Sequence, residues 1–125
     1  MNSPHILIVD DEPSIVMSLE FLMRKNRYEV SIARNGSEAL EAIAQTAFDV
    51  VLLDIMMPDV DGYEVCRQLR LRPDRAATKV IFLSAKSSEA DIAKGYAVGA
   101  DLYVPKPFGT KQLMEQIRNL MKNEE

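Results

Sequence analysis

The sequence predicts an α/β fold, a doubly wound sheet of five parallel strands with five helices covering its two faces. Two observations predict it. Five short apolar runs alternate with five longer segments of helical period, the pattern that a parallel sheet with crossover helices imposes. The chain has 125 residues and 47% hydrophobic content, enough to bury one core and too little for two, so a single domain is expected over 1–125.

The elements follow in order. The first strand is read at Ile6-Leu7-Ile8-Val9, with Asp10 and Asp11 directly after it. The first helix opens near Pro13, whose missing N–H is no loss in a first turn. It carries Ile15, Leu19, Leu22 and Met23 at i, i+4, i+7 and i+8 on one face. Tyr28 to Ala33 is the second strand, and Ala39, Leu40, Ile43 and Ala44 mark the second helix. Val50 to Leu53 is the third strand, ended by Asp54, and Val65, Cys66 and Leu69 mark the third helix. Val80 to Leu83 is the fourth strand, ended by Ser84. Ile92, Ala93 and Tyr96 mark the fourth helix, which Gly99 stops in a left-handed conformation. Leu102 to Val104 is the fifth strand, with Lys106 just beyond, and Leu113, Ile117, Leu120 and Met121 form the face of the last helix. Pro105 falls within the fifth strand, and proline is tolerated chiefly at sheet edges, so this strand is expected at an edge. The charged end Lys122-Asn123-Glu124-Glu125 is expected to fray.

Composition narrows the function. A net charge of -4, from 15 basic and 19 acidic residues, argues against gripping a nucleic-acid backbone and for protein or small-ion partners. One cysteine, Cys66, rules out an intrachain disulfide and suits a reducing compartment. The start lacks a charged n-region and a long apolar h-region, and no apolar run approaches the ~20 residues that cross a bilayer. A cytoplasmic location, with no membrane contact, is the expectation.

Right-handed crossovers place every strand's carboxyl end on one edge of a parallel sheet, and ligands bind there where strand order reverses. That edge collects Asp10, Asp11, Asp54, Ser84 and Lys106. If the first and third strands are neighbours, about 4.8 Å apart, the three carboxylates stand too close to ionise freely, and such a cluster calls for a cation. All-oxygen ligands favour a hard ion, and few carboxylates with open water positions suit Mg²⁺. His5 is the only histidine, which excludes a site of clustered imidazoles. A carboxylate such as Asp54 can attack a phosphoryl group if positive charge meets the equatorial oxygens. Lys106 offers an ammonium for that, and the Ser84 hydroxyl can bond a phosphate oxygen.

Asp10-Asp11-Glu12, Asp54-Ile55-Met56-Met57-Pro58, Gly62, Ser84-Ala85 and Lys106-Pro107-Phe108 together resemble the motif set of response-regulator receiver domains. The resemblance spans nearly the whole chain. It implies the flavodoxin-like sheet order 2-1-3-4-5. It implies that Asp54 accepts phosphate from a histidine kinase or phosphotransfer protein, and that Asp11, Asp54 and the Met56 backbone carbonyl ligate Mg²⁺, with Asp10 contributing directly or through water. It implies a switch pair, Ser84 and Tyr103, in which phosphate draws the hydroxyl inward and the ring follows. It implies that Lys106 contacts the phosphate and that the Lys106-Pro107 bond is cis. Output would pass through the fourth helix, fifth strand and fifth helix, at Ala90 to Ala97 and Lys111 to Arg118, to an output protein or domain. A homodimer on phosphorylation through that face is a further expectation. Met56 and Lys86 sit where the family tunes the hydrolytic water, and a bulky thioether with a long cation predicts slow autodephosphorylation. No DNA-binding or catalytic output segment is recognised in the 125 residues.

Each residue also has a plainer reading. Asp10 and Asp11 could cap the first helix. Asp54 alone could be a solvated loop aspartate, Ser84 a turn residue, Lys106 a surface charge and Tyr103 a half-buried strand aromatic. Asp59 and Asp61 read as turn formers, and Glu12 as solvent-facing. Met17, Met23, Met114 and Met121 read as core packing. Arg67, Arg70, Arg72 and Arg75 form a basic stretch near the end of the third helix, where cations meet the helix dipole favourably, with docking as the alternative reading. Among whole-chain alternatives, a phosphatase or phosphotransferase on an outside substrate would need an acid two residues past its nucleophile, where Met56 stands. A flavin module would need a Ser/Thr/Gly-rich phosphate loop, and Asp10-Asp11-Glu12 repels a phosphate. A degenerate receiver is uneconomical, because every required position is filled.

Overall fold

The structure, a computed structural model, describes residues 3–122. Its elements are β1 (His5–Val9), α1 (Pro13–Lys25), β2 (Glu29–Ala33), α2 (Gly36–Gln45), β3 (Val50–Leu53), α3 (Gly62–Arg70), β4 (Lys79–Ser84), α4 (Glu89–Ala97), β5 (Leu102–Pro105) and α5 (Thr110–Lys122). A short 3-10 turn at Pro73–Arg75, not foreseen from periodicity, links α3 to β4. The five strands are parallel in the order β2-β1-β3-β4-β5, so β5 and its Pro105 do lie at an edge. The expectation that the chain frays at residues 123–125 lies outside the described residues.

The central strands read as unbroken apolar runs because both faces are covered. Alternate side chains then serve two cores. Leu7, Val9, Val51, Leu53, Val80 and Phe82 face α2 and α3, where they meet Ala39, Ile43, Val65, Cys66 and Leu69. Ile6, Ile8, Val50, Leu52, Ile81 and Leu83 face the other way onto Val16, Leu19 and Met23 of α1 and Leu113, Met114 and Ile117 of α5. A slip of one residue in any of these strands would exchange the two cores, so the register is tightly specified.

Several expectations are corrected. β2 begins at Glu29, one residue after Tyr28. The N-cap of α1 is Glu12, not Asp10 or Asp11, and it caps through its backbone, with Pro13 starting the helix. Met17 is 69% exposed, so it packs in no core; Met23 and Met114 do. On α4 the inward residue is Gly95, while Tyr96 and Ala93 are exposed and Ile92 is half-buried. The basic stretch after α3 is partly structural. Arg70 donates to the Gly99 and Thr78 carbonyls and to Asp101 Oδ2 (2.9, 2.7 and 2.8 Å), and Arg75 donates to the Ile43 carbonyl at 2.9 Å. Gly99, at φ 110, ends α4 as expected.

Candidate functional site

The polar residues predicted for the carboxyl edge of the sheet do come together. β1 and β3 are neighbours paired Val9 to Leu53, which sets Asp10 and Asp54 at adjacent strand ends. The Asp10 N–H bonds the Ala33 carbonyl and the Asp54 N–H bonds the Val9 carbonyl, so both residues are held by continuation of the strand ladder. One carboxylate oxygen from each of Asp10, Asp11 and Asp54 lies within 4.8 Å of the others. Asp10 and Asp54 are buried, at 2% and 7% exposure, and Asp11 stands at the rim.

Lys106 reaches in from beyond β5. Its N–H bonds the Ser84 carbonyl, the Lys106-Pro107 peptide is cis, and its Nζ lies 2.9 Å from Asp10 Oδ2 and 3.8 Å from Asp54 Oδ1. One ammonium faces the carboxylates of both Asp10 and Asp54. Burial pushes the Asp54 carboxyl up to about 6; Lys106 opposes this, the Asp10 charge adds to it, and the N–H groups of Ile55 and Met56 oppose it. The Ile55 N–H donates to Asp54 Oδ1 at 2.9 Å, and Asp10 Oδ1 accepts from the Glu12 N–H at 2.9 Å.

The donor set fits a hard cation. It is all oxygen, it carries more negative than positive charge, and part of it is withdrawn from water. Beside it an open pocket of about 440 Å³ is bordered by Asp11, Met56, Met57, Tyr63, Lys86 and Lys94. The Met56 side chain is 58% exposed and leaves the approach open. Asp54, Lys106 and Asp11 can therefore hold a charged group between them.

Ser84 is fully buried, and its Oγ accepts the Lys86 N–H at 3.1 Å. Tyr103 is buried too, at 7% exposure, with its hydroxyl donating to the Lys86 carbonyl at 2.6 Å. Serine and tyrosine thus grip one residue of the β4–α4 loop from two sides. Reasoning from sequence missed Tyr63. Its ring packs edge-on to Phe82 at 5.6 Å, its hydroxyl donates to the Asp91 carbonyl at 3.0 Å, and the Lys94 ammonium lies 4.5 Å from the ring centroid. It also missed the full work of Asp59, whose carboxylate accepts the N–H groups of Gly36 and Ser37 at the start of α2. Asp61, read as a turn former, is the N-cap of α3, accepting from the Glu64 N–H at 2.9 Å. No local sequence pattern announces Tyr63, because its partners lie in β4 and α4. Gly62, already one of the motif residues, now has its reason: a Cβ there would stand 2.3 Å from the Asp54 carbonyl, so only glycine fits under the site.

Comparison with known proteins agrees with this geometry. The family model described as the response regulator receiver domain matches residues 6–118. The transcriptional regulatory protein ResD of Bacillus subtilis (strain 168) is 38% identical over 121 residues, 97% of this chain and 49% of that protein. The chain thus spans about half the length of this curated relative. A CheY-like receiver domain from Methanospirillum hungatei JF-1 is 32% identical and superposes with a TM-score of 0.90, covering 98% of this chain and 96% of that one. The receiver domain of a sensor histidine kinase from Pseudomonas aeruginosa PAO1, solved with a magnesium ion coordinated in its active site cleft, is 25% identical with a TM-score of 0.89, covering 97% and 99%. With strand order, acidic cluster and reaching lysine in place, the chain belongs to the response regulator receiver domain family.

Proposed function

We propose that this receiver accepts a phosphoryl group on Asp54 from the phosphohistidine of a sensor kinase or phosphotransfer protein, with Mg²⁺ held by Asp10, Asp11, Asp54 and the Met56 carbonyl. The observation that carries it is the convergence of three carboxylates and the Lys106 ammonium around one open approach. An Asp54 carboxylate oxygen attacks phosphorus, the phosphorus–nitrogen bond of the donor breaks, and the nitrogen keeps the electron pair. Lys106 meets the charge on the arriving phosphoryl oxygens, and the buried Ser84 hydroxyl bonds one of them. Bound Mg²⁺ supplies further positive charge to the same oxygens. The magnesium in the Pseudomonas aeruginosa relative supports this choice of ion.

The product is a signal. No acid stands two residues past Asp54, where Met56 presents a thioether, which leaves the phosphatase reading without support. Self-catalysed loss of the phosphate is slow in this reading, because Met56 and Lys86 border the approach of water. Output passes through the exposed Ala90, Ala93, Lys94, Tyr96 and Ala97 of α4 and Lys111, Gln112, Glu115 and Arg118 of α5. It goes to an output protein or domain, or to a second copy of the chain. Among the described residues no helix is long and apolar enough to cross a membrane. We place the receiver in the cytoplasm, without direct nucleic-acid contact.

Incubation with acetyl phosphate and Mg²⁺, read by intact mass, tests the reading. Wild type gains one phosphoryl group and Asp54→Asn gains none; equal labelling of both would overturn the assignment. Light scattering with and without the donor tests the dimer, which an unchanged monomer at high concentration would refute.

A further inference from the structure

We propose that Gly95 is a positioning residue for the switch: its missing side chain forms the seat that holds the Tyr103 ring inward. Through that seat α4 registers whether the Ser84–Lys86 loop is drawn in beside Asp54. This rests on the phosphoacceptor reading above for its functional consequence, and on packing alone for its structural part.

Gly95 is the buried residue of α4. A glycine inside a helix is locally unfavourable, and here space explains it. A Cβ at Gly95 would stand 2.7 and 3.0 Å from Tyr103 Cδ2 and Cε2 and 3.2 Å from Phe82 Cδ2. The ring occupies the place that any larger residue would fill. From that seat the hydroxyl reaches the Lys86 carbonyl at 2.6 Å, and the Lys86 N–H reaches Ser84 Oγ at 3.1 Å.

Two further observations say that the ring, not the helix, would yield. α4 is pinned along its length: Tyr63 donates to the Asp91 carbonyl, Cys66 Sγ to the Val98 carbonyl, and Arg70 to the Gly99 carbonyl. The Tyr103 N–H donates to the Tyr96 hydroxyl at 3.1 Å, tying strand to helix. Tyr103, by contrast, lies on an edge strand beside open space. It lines a separate groove of about 300 Å³ beside Val104, Pro107, Phe108 and Gln112 along the edge strand.

The test is Gly95→Ala, alone and with Tyr103→Ala. In the wild-type background the added methyl expels the ring: hydroxyl-radical footprinting with peptide mapping reads Tyr103 as exposed, and the melting temperature falls. In the Tyr103→Ala background only the Phe82 ring, 3.2 Å away, borders the added methyl and the vacated space lets it shift, so Gly95→Ala raises the melting temperature by about 3 °C through helix propensity. Affinity for beryllofluoride with Mg²⁺, an unreactive phosphoryl mimic, drops about fivefold or more in Gly95→Ala, since coupling between two sites is reciprocal. The same substitution leaves that affinity unchanged once Tyr103 is alanine. A single variant that fails to fold while the double variant folds also supports the seat. Equal destabilisation in both backgrounds, or a Tyr103 still protected in Gly95→Ala, would overturn it. A wild type that binds no beryllofluoride sinks the phosphoacceptor reading instead, and footprint and melting still decide the seat.

Discussion

Asp54 carries opposed demands. Burial favours its neutral form, while Lys106 and two backbone N–H groups favour the carboxylate, and burial wins, with the carboxyl near 6 instead of 3.8. Without metal, the folded chain therefore holds a proton between about pH 4 and pH 6 that the unfolded chain has released. Stability from this group is full below about pH 4 and is lost as pH rises through 6, on the order of 2–3 kcal/mol in all. Asp54→Asn, neutral at every pH, should exceed wild type in stability at pH 7 by roughly 2 kcal/mol in chelator and converge with it near pH 4. Urea midpoints across that range check this, and parallel profiles would contradict it. Cys66 shows the same physics away from the site. Burial pushes its thiol up to about 11 and its Sγ faces the Val98 carbonyl, so it holds little thiolate. Iodoacetamide at pH 8 should leave the native protein unmodified and label it fully in denaturant; rapid native labelling would show the burial to be wrong.

Between elements, Arg70 does what no single helix or strand could. From the end of α3 it bonds the carbonyls of Thr78 before β4 and Gly99 after α4, and it pairs with Asp101, whose Oδ2 also accepts the Val80 N–H. A planar fork meets three acceptors at once, which a lysine cannot. Arg70→Ala is expected to lower stability by about 2–3 kcal/mol, and Arg70→Lys to recover less than half of that. Thermal denaturation of the two variants decides it; a lysine as good as arginine would mean that only charge matters there. Asp59 plays a related part, bridging the loop after β3 to the first turn of α2, where the Ser37 hydroxyl first, and then the N–H groups of Val60, Ser37 and Gly36, hold its carboxyl below the usual range.

Across the whole molecule, the site sits at one edge of a sheet whose two faces are both fully packed. The Asp10 and Asp54 backbones are both held by bonds that continue the strand ladder, so the fold keeps these two buried carboxylates close together. A divalent cation that binds only the folded form adds stability by mass action, about 2.7 kcal/mol at a hundredfold excess over Kd. Millimolar Mg²⁺ should raise the melting temperature of wild type, EDTA should reverse the rise, and Asp11→Asn should blunt it. An identical response in Asp11→Asn would remove the rim aspartate from the ligand set.

By itself the sequence determined the five strands and five helices, because continuous apolar runs and 3.6-residue spacing report burial wherever a face is uniformly covered. It also determined which residue types end at the ligand edge: Asp10, Asp11, Asp54, Ser84 and Lys106 follow from strand-end position alone. Only the tertiary structure decided that α4 turns Gly95 inward and leaves Ala93 and Tyr96 exposed, that Glu12 caps α1, and that Tyr63 and Arg70 join separate elements. The physical reason is range. Periodicity and capping arise between residues a few positions apart, whereas the seat for Tyr103 exists only where α4 and β5 meet.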